Sequence, residues 1–180
     1  MNKKTSVICL IVALCAGLAW YVLASTSLDP ATLRSSSGDA VQAGSAIETY
    51  RDEAYSFSID LPRNTRVEST SEEGGTVRIV SDPSSGKVFQ IYIQETGDAT
   101  LNITESRIRQ DIPDLSIRDV QSVEISTGAT GTAFISTDDK GEKREVWFAF
   151  RGVLYQISAP IESDTFLRSI LNTWKFISNP

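Results

Sequence analysis

Residues 84–87 (SSGK) have the S-x-x-K spacing in which a lysine serves as the base for a serine nucleophile in penicillin-binding enzymes. That chemistry places the serine at a helix N-terminus, with K-T-G and S-D-N elements nearby, and neither element occurs in the sequence. An Asp-Pro pair precedes the serines and two apolar runs flank them. We therefore expect a hairpin turn rather than a catalytic pair.

Asp138, Asp139 and Glu142 are the candidates for metal ligands. Carboxylates and loop carbonyls are the oxygen ligands that calcium accepts, but this spacing fits no EF-hand. Polar residues followed by a glycine are also what a hairpin turn uses. The sequence favours a solvated turn here and predicts no metal and no cofactor.

The composition removes several kinds of active site. The chain has no histidine, which excludes Ser-His-Asp triads, Cys-His dyads and histidine-ligated zinc. Its two cysteines, Cys9 and Cys15, both lie in the first apolar run, so the rest of the chain has neither a disulfide nor a thiol nucleophile. Paired carboxylates for glycoside cleavage stay open, because their separation is a property of the fold.

Tyr92 and Trp147 are the candidates for ligand or partner binding. Each is out of phase with the most apolar face of its predicted strand. If exposed, they can contact a sugar or a partner protein; the alternative is that a helix covers them.

The net charge argues against nucleic acid as a partner. Seventeen Lys and Arg stand against 23 Asp and Glu, giving a net charge of -6 and a pI of about 4.7. Nucleic-acid binding needs a basic surface, so we expect no such partner.

The N-terminus predicts export. Residues 7–24 are an uninterrupted apolar run after a short basic head, and a helix of that length spans about 27 Å, close to the hydrocarbon thickness of a bilayer. An uncleaved single-pass anchor, a signal peptide cleaved near Ala24 and a lipoprotein signal at Cys15 are the alternatives, the last disfavoured by the bulky Leu14. All three place the rest of the chain outside the cytoplasm, either at the cell membrane or, after cleavage, as a secreted or periplasmic protein.

Residues 25–46 are rich in Ser, Ala, Gly and Thr and show no apolar period, which predicts a flexible linker. From residue 47 the pattern changes to short alternating runs, so the predicted organisation is 1–24 signal peptide or anchor, 25–46 linker and 47–180 domain. One short helix is predicted to start near Asn102 and another near Ser163. Alternation predicts strands over these segments: 55–62, 76–82, 87–95, 130–137, 143–150, 153–159 and 173–176.

Three stretches together resemble the PsbP-like family: 50–62, ending in YSFSIDLP, the run RGVLYQI at 151–157, and 166–176, ending in ILNTWKF. That family includes the extrinsic PsbP subunit of photosystem II. Its fold is shared with a yeast Ran-binding import factor and with DcrB-type envelope lipoproteins. The resemblance covers most of residues 47–177.

The resemblance implies an α+β fold, an antiparallel sheet of about six or seven strands with helices on both faces, here preceded by an N-terminal hydrophobic helix. Members mostly act as binding or assembly factors without a shared catalytic motif. We therefore expect a membrane-tethered extracytoplasmic binding or assembly module, held by residues 7–24, with a protein partner in the envelope. The alternative is an envelope hydrolase that uses serine or carboxylate residues.

Overall fold

The computed structural model describes residues 47–126 and 128–177, so the predicted membrane segment 7–24 and linker 25–46 lie outside the described residues. Within the described ranges the chain forms ten strands and two α-helices. The strands are β1 (Ile47–Asp52), β2 (Phe57–Pro62), β3 (Arg66–Glu72), β4 (Gly75–Asp82), β5 (Lys87–Glu95), β6 (Ser116–Ser126), β7 (Ala129–Asp138), β8 (Gly141–Phe150), β9 (Val153–Pro160) and β10 (Lys175–Phe176). The helices are α1 (Glu105–Asp111) and α2 (Asp164–Leu171), the second preceded by a 3-10 turn.

All strand pairs are antiparallel and form two sheets. The large sheet has seven strands in the order β3-β4-β5-β9-β8-β7-β6, and the small sheet has three in the order β1-β2-β10. The prediction of a mainly antiparallel sheet with short helices is confirmed. The predicted strands at 55–62 and 173–176, however, lie in the small sheet, which the sequence did not separate from the large one.

The hairpin between β8 and β9 follows directly from its residues. Phe150 pairs with Val153, Phe148 with Tyr155 and Val146 with Ile157, as apolar matching predicts. The two turn residues between the strands have φ of 50° and 80° respectively. Positive φ at both central positions is the backbone of a type I′ turn, whose twist suits a two-residue hairpin.

One face of the large sheet, called here the first face, carries the main core. Its side chains include Val80, Ile91, Val146 and Ile157, and both α2 and β2 contribute apolar side chains to the same cluster. Helix α2 buries Leu167 and Ile170 there. Burial of this apolar side explains why so short a helix is stable.

The opposite, second face is also buried. Five large side chains on it are at most 3% exposed: Val77, Tyr92, Phe134, Trp147 and Leu154. Near them, the Thr132 hydroxyl donates to the carbonyl of Ile103, 2.7 Å away, and Ile103 and Ile108 are themselves buried. The second face is therefore packed against other parts of the chain at these positions.

Strands β1, β3 and β6 were not predicted, because only a few of their side chains are buried and no strong alternation marks them. The N-cap of the first helix lies two residues after Asn102, whereas that of the second is Ser163, as predicted. The N-cap of α1 is Thr104, whose hydroxyl accepts from the amide of Arg107. Ser163 precedes α2, but its hydroxyl instead accepts from the amide of Val88.

Across residues 47–126 and 128–177, neither helix has the length or the apolar content needed to cross a bilayer. Membrane attachment through residues 7–24 remains a prediction.

Candidate functional site

The S-x-x-K segment is a turn held by a carboxylate. The hydroxyls of Ser84 and Ser85 each donate to Asp82 at 2.6 Å, and these bonds are the main reason that the pKa of Asp82 lies below its ordinary value. Lys87 donates to the carbonyl of Glu162 at 2.6 Å. Both serine hydroxyls thus donate to Asp82 and not to the lysine, which agrees with the predicted hairpin turn.

The acidic turn candidates are joined to neighbouring cations. Asp138 pairs with Lys143 and accepts from the amide of Lys140, while Glu142 accepts from Arg118 at 2.8 Å. In the part of the chain that the structure describes, no group of three or more His, Cys, Asp or Glu side chains is arranged to hold a metal ion. Asp139 joins no such group.

Tyr92 and Trp147 are not exposed, which corrects the interpretation that required an exposed aromatic surface. Their exposed fractions are 2% and 3%. The Tyr92 hydroxyl donates to the carbonyl of Glu73, and the Trp147 indole packs edge-on against Phe134 with ring centroids 5.2 Å apart. Both rings belong to the packing of the second face.

A buried carboxylate lies beside Trp147. Glu145 accepts from the Trp147 indole at 3.1 Å, from Ser136 at 3.0 Å and from Ser158 at 2.9 Å. Burial is the dominant influence on Glu145 and raises its pKa, while the three hydrogen bonds and the charge of Lys143 oppose the rise. Alternation along β8 places Glu145 on the second face, but sequence alone gave no reason to expect so complete a burial.

The burial of Glu145 leads to a prediction about how the free energy of unfolding depends on pH. Its pKa is higher in the folded than in the unfolded chain, so above its ordinary pKa the folded state holds more protons. The free energy of unfolding should therefore fall as pH rises from about 5, by at most about 1.4 kcal/mol per pH unit for one group. Urea unfolding across about pH 5 to pH 8 should show a smaller fall in Glu145→Gln, whose amide still accepts from Trp147.

The exposed Glu95 provides the control, since Glu95→Gln makes the same substitution at a solvated side chain. Asp82 and Asp138 have lowered pKa values, so their contributions to stability are lost only as pH falls below their ordinary range. Parallel pH curves for the parent chain and Glu145→Gln would contradict a role for Glu145.

A groove of about 250 Å³ opens between α2 and the first face at the β6 end of the large sheet. We call it the α2 groove. Its floor consists of five buried side chains: Ile125, Ala133, Arg144, Val146 and Leu167. Its walls are the half-buried Val123 and Leu171, and its exposed rim is formed by Gln121, Glu124, Arg168 and Asn172.

Arg144 is the buried cation of the groove. It lies on the first face because it is two residues before Val146 in β8, and its side chain is 8% exposed. Its Nε donates to Asp164 at 3.0 Å, whereas its Nη1 is buried without a hydrogen-bond partner. A buried donor of a charged group that lacks an acceptor destabilises the fold, so a ligand acceptor that came within reach of Nη1 would be favourable.

Asp164 joins the two arginines of the groove. It is the first residue of α2 and accepts from Nε of Arg144 and from Nε of Arg168, each at 3.0 Å. A carboxylate in the first turn of a helix is also favoured by the helix dipole. Two guanidinium groups thus share one carboxylate, which leaves a net positive charge beside the apolar floor.

Sequence reasoning missed this groove. The alternation of Arg144, Val146 and Phe148 does place a cation on the apolar face of β8, and that signal was available. The neighbours of Arg144 across the groove come from β6, which was not predicted, and from α2. The site therefore depends on a tertiary arrangement that the local pattern does not specify.

The comparisons with known proteins give little beyond the fold. No family model matches the chain, and no curated protein matches it. Its structure is similar to the solution structure of cyanobacterial PsbP (CyanoP) from Synechocystis sp. PCC 6803, with a TM-score of 0.49 and 8% identity over 77% of this chain and 98% of that chain. That protein bears the name of the family that the sequence resembles, and a similarity this distant says nothing about ligand, activity or membrane attachment.

Proposed function

We propose that this chain is a membrane-tethered extracytoplasmic binding or assembly module without catalytic activity, built on a PsbP-like α+β domain, and that the α2 groove is its binding site. The observation that supports binding is the groove itself, which combines an apolar floor with a buried arginine that has an unpartnered nitrogen. Concave apolar sites with few convergent polar groups are typical of ligand binding.

The finer features of the fold belong to the same proposal. The segment that contains α1 covers the second face while α2 covers the first, giving helices on both faces. Support comes from the buried Ile103 and Ile108 and from the hydrogen bond of Thr132 to the Ile103 carbonyl. The second face is covered and the small sheet lies on part of the first, and the α2 groove offers charge beside apolar surface.

The hydrolase alternative has less support. Ser84 and Ser85 donate to Asp82, and Glu145 is enclosed by its own hydrogen-bond donors. A nucleophile needs a base within hydrogen-bond reach and an adjacent space for the substrate. Neither the two serines nor Glu145 has both.

Site-specific photo-crosslinking in intact cells tests the binding role. A photoreactive residue at Gln121 or Asn172, both on the exposed rim of the groove, should capture a discrete partner, whereas the same residue at Glu105 on α1 should not. Equal capture at all three positions would count against a partner at the groove. Capture of nothing except further copies of this chain would also count against it.

Mass and extraction test the tether. A retained anchor predicts that the protein in native membranes has the mass of all 180 residues and resists carbonate extraction. Loss of about 24 residues would exclude the anchor and leave the exported alternative.

A further inference from the structure

We propose that the α2 groove binds a small organic acid in which a single carboxylate is joined to a short apolar chain. The inference rests on the proposed binding function and names the class of ligand. It is argued from the size, lining and charge of the groove.

The size of the groove favours a small molecule. Its volume is about 250 Å³. Sites for drug-sized ligands start at about 300 Å³, so the groove suits a ligand smaller than these.

The floor of the groove favours a ligand with an apolar chain. Ile125, Ala133, Val146 and Leu167 are all buried, and each presents a hydrocarbon side chain. Apolar ligand surface that leaves water for such a floor favours binding. An inorganic anion has no surface of this kind and gains nothing from these four side chains.

Arg144 favours a ligand with one carboxylate. Its Nη1 is buried without an acceptor, and planar guanidinium groups bind carboxylates with particularly good geometry. Because Asp164 is shared with Arg168, the three groups carry one net positive charge, which one further carboxylate balances. A dianion would exceed that charge.

The exposed rim modulates this preference. Glu124 lies at the rim and opposes the approach of an anion, while Arg168, also at the rim, favours it. Both side chains are largely solvated, so their influence is weaker than that of Arg144 and is screened by salt. Glu124→Gln is therefore expected to strengthen the binding of a carboxylate about twofold to fivefold in low salt.

The test uses the full chain in detergent micelles and hexanoate as the probe, with hexanamide as the matched neutral molecule and sulfate as an anion without an apolar chain. Binding is followed by two-dimensional amide NMR, which locates the perturbed residues. We expect hexanoate to shift the signals of Val123 and Leu171, and hexanamide and sulfate to bind at least about tenfold more weakly.

Variants separate charge from shape. Arg144→Gln should weaken hexanoate binding at least about tenfold, whereas Arg109→Gln on α1, which removes an equal charge elsewhere, should not change it. If Arg144→Gln disturbs the fold, Val123→Phe provides an independent variant, because it fills the groove from its wall and leaves Arg144 in place.

Equal binding of hexanoate and hexanamide would overturn the proposal, because the charge of Arg144 would then play no part. Sulfate binding as tight as hexanoate, or no shifts near the groove, would overturn it too. Capture of a protein partner at Gln121 together with no hexanoate binding would refute the ligand class and keep the binding function. Hexanoate binding without a captured partner would support the ligand class and refute the assembly role.

Discussion

Replacing Asp52 by alanine is expected to lower the free energy of unfolding by about 3–5 kcal/mol, because it removes one partner of a buried ion pair. Asp52 lies at the end of β1 in the small sheet, and its carboxylate accepts from Nε of Arg78, in β4 of the large sheet, at 2.7 Å. The two side chains are 3% and 11% exposed. The pair therefore connects the two sheets in a poorly solvated position.

The effect of Asp52→Ala should be large because several groups lose their acceptor together. The carboxylate also accepts from the amide of Tyr55 at 3.1 Å and from the hydroxyl of Tyr50 at 3.3 Å. Arg78 keeps a bond to Ser69 but no longer faces a charge in that position. Buried donors without acceptors each cost about 1–3 kcal/mol.

Urea unfolding of the parent chain and three variants measures this contribution. The double variant Asp52→Ala, Arg78→Met should be more stable than Asp52→Ala alone, because it removes the unpaired buried charge. Glu142→Ala is the matched control: its pair with Arg118 is 41% and 51% exposed, so its loss should change stability by less than about 1 kcal/mol. A similar small change for Asp52→Ala would mean that the pair is effectively solvated.

The large sheet was predictable to the extent that its strands alternate. In β9, Tyr155 and Ile157 face the first core while Leu154 and Gln156 face the other way, and pairing with β8 follows from the two-residue turn. Strands β4 and β5 are recognisable for the same reason, with Val80 opposite Phe89. Local pattern and turn chemistry agree in this part of the chain.

The rest could not be read from local pattern. Strand β3 alternates weakly because it is an edge strand with few buried residues. A Cβ at Gly75 would lie 2.5 Å from the Ile93 carbonyl oxygen and 2.6 Å from the Tyr92 ring, a close approach that only the folded sheet reveals. Tyr92 occupies that space, which is one reason why it is not a surface aromatic.

The candidate site was less predictable than the fold. Two candidate sites, residues 84–87 and the acidic turn, were suggested by spacing along the chain. Both segments are turns whose polar side chains are hydrogen-bonded to neighbouring residues. Arg144 and Asp164 are 20 residues apart and meet because α2 packs back on the first face. Charges that meet through packing leave no motif in the sequence.

The second large effect is expected at Trp174, which lies three residues after the end of α2 and packs between the sheets. Its indole stacks on Phe57 of β2 with ring centroids 4.2 Å apart, and it meets Phe148 and Tyr155 of the large sheet edge-on at 5.3 and 5.6 Å. Trp174→Ala should destabilise the fold by about 3–5 kcal/mol, since it leaves a cavity among rings that cannot collapse without moving a sheet.

Trp174→Phe should cost much less than Trp174→Ala. Phenylalanine keeps the ring stack on Phe57, and it removes an indole nitrogen that is buried without a hydrogen-bond partner. Trp147→Phe is the matched control, because the indole of Trp147 donates to the buried Glu145 and its loss leaves that carboxylate one donor short. Unfolding free energies of the three variants give the comparison directly.

The order of the two phenylalanine variants is the critical result. If Trp174→Phe destabilises the fold more than Trp147→Phe, the indole nitrogen of Trp174 has an acceptor in solution, and the stack on Phe57 contributes less than its geometry indicates. If the order is as expected, shape alone holds Trp174. The ring then fixes the end of α2 next to Leu171 and Asn172, which form part of the wall and rim of the α2 groove. Weaker hexanoate binding in Trp174→Ala, with Arg144 unchanged, would show that packing between the sheets sets the geometry of the groove.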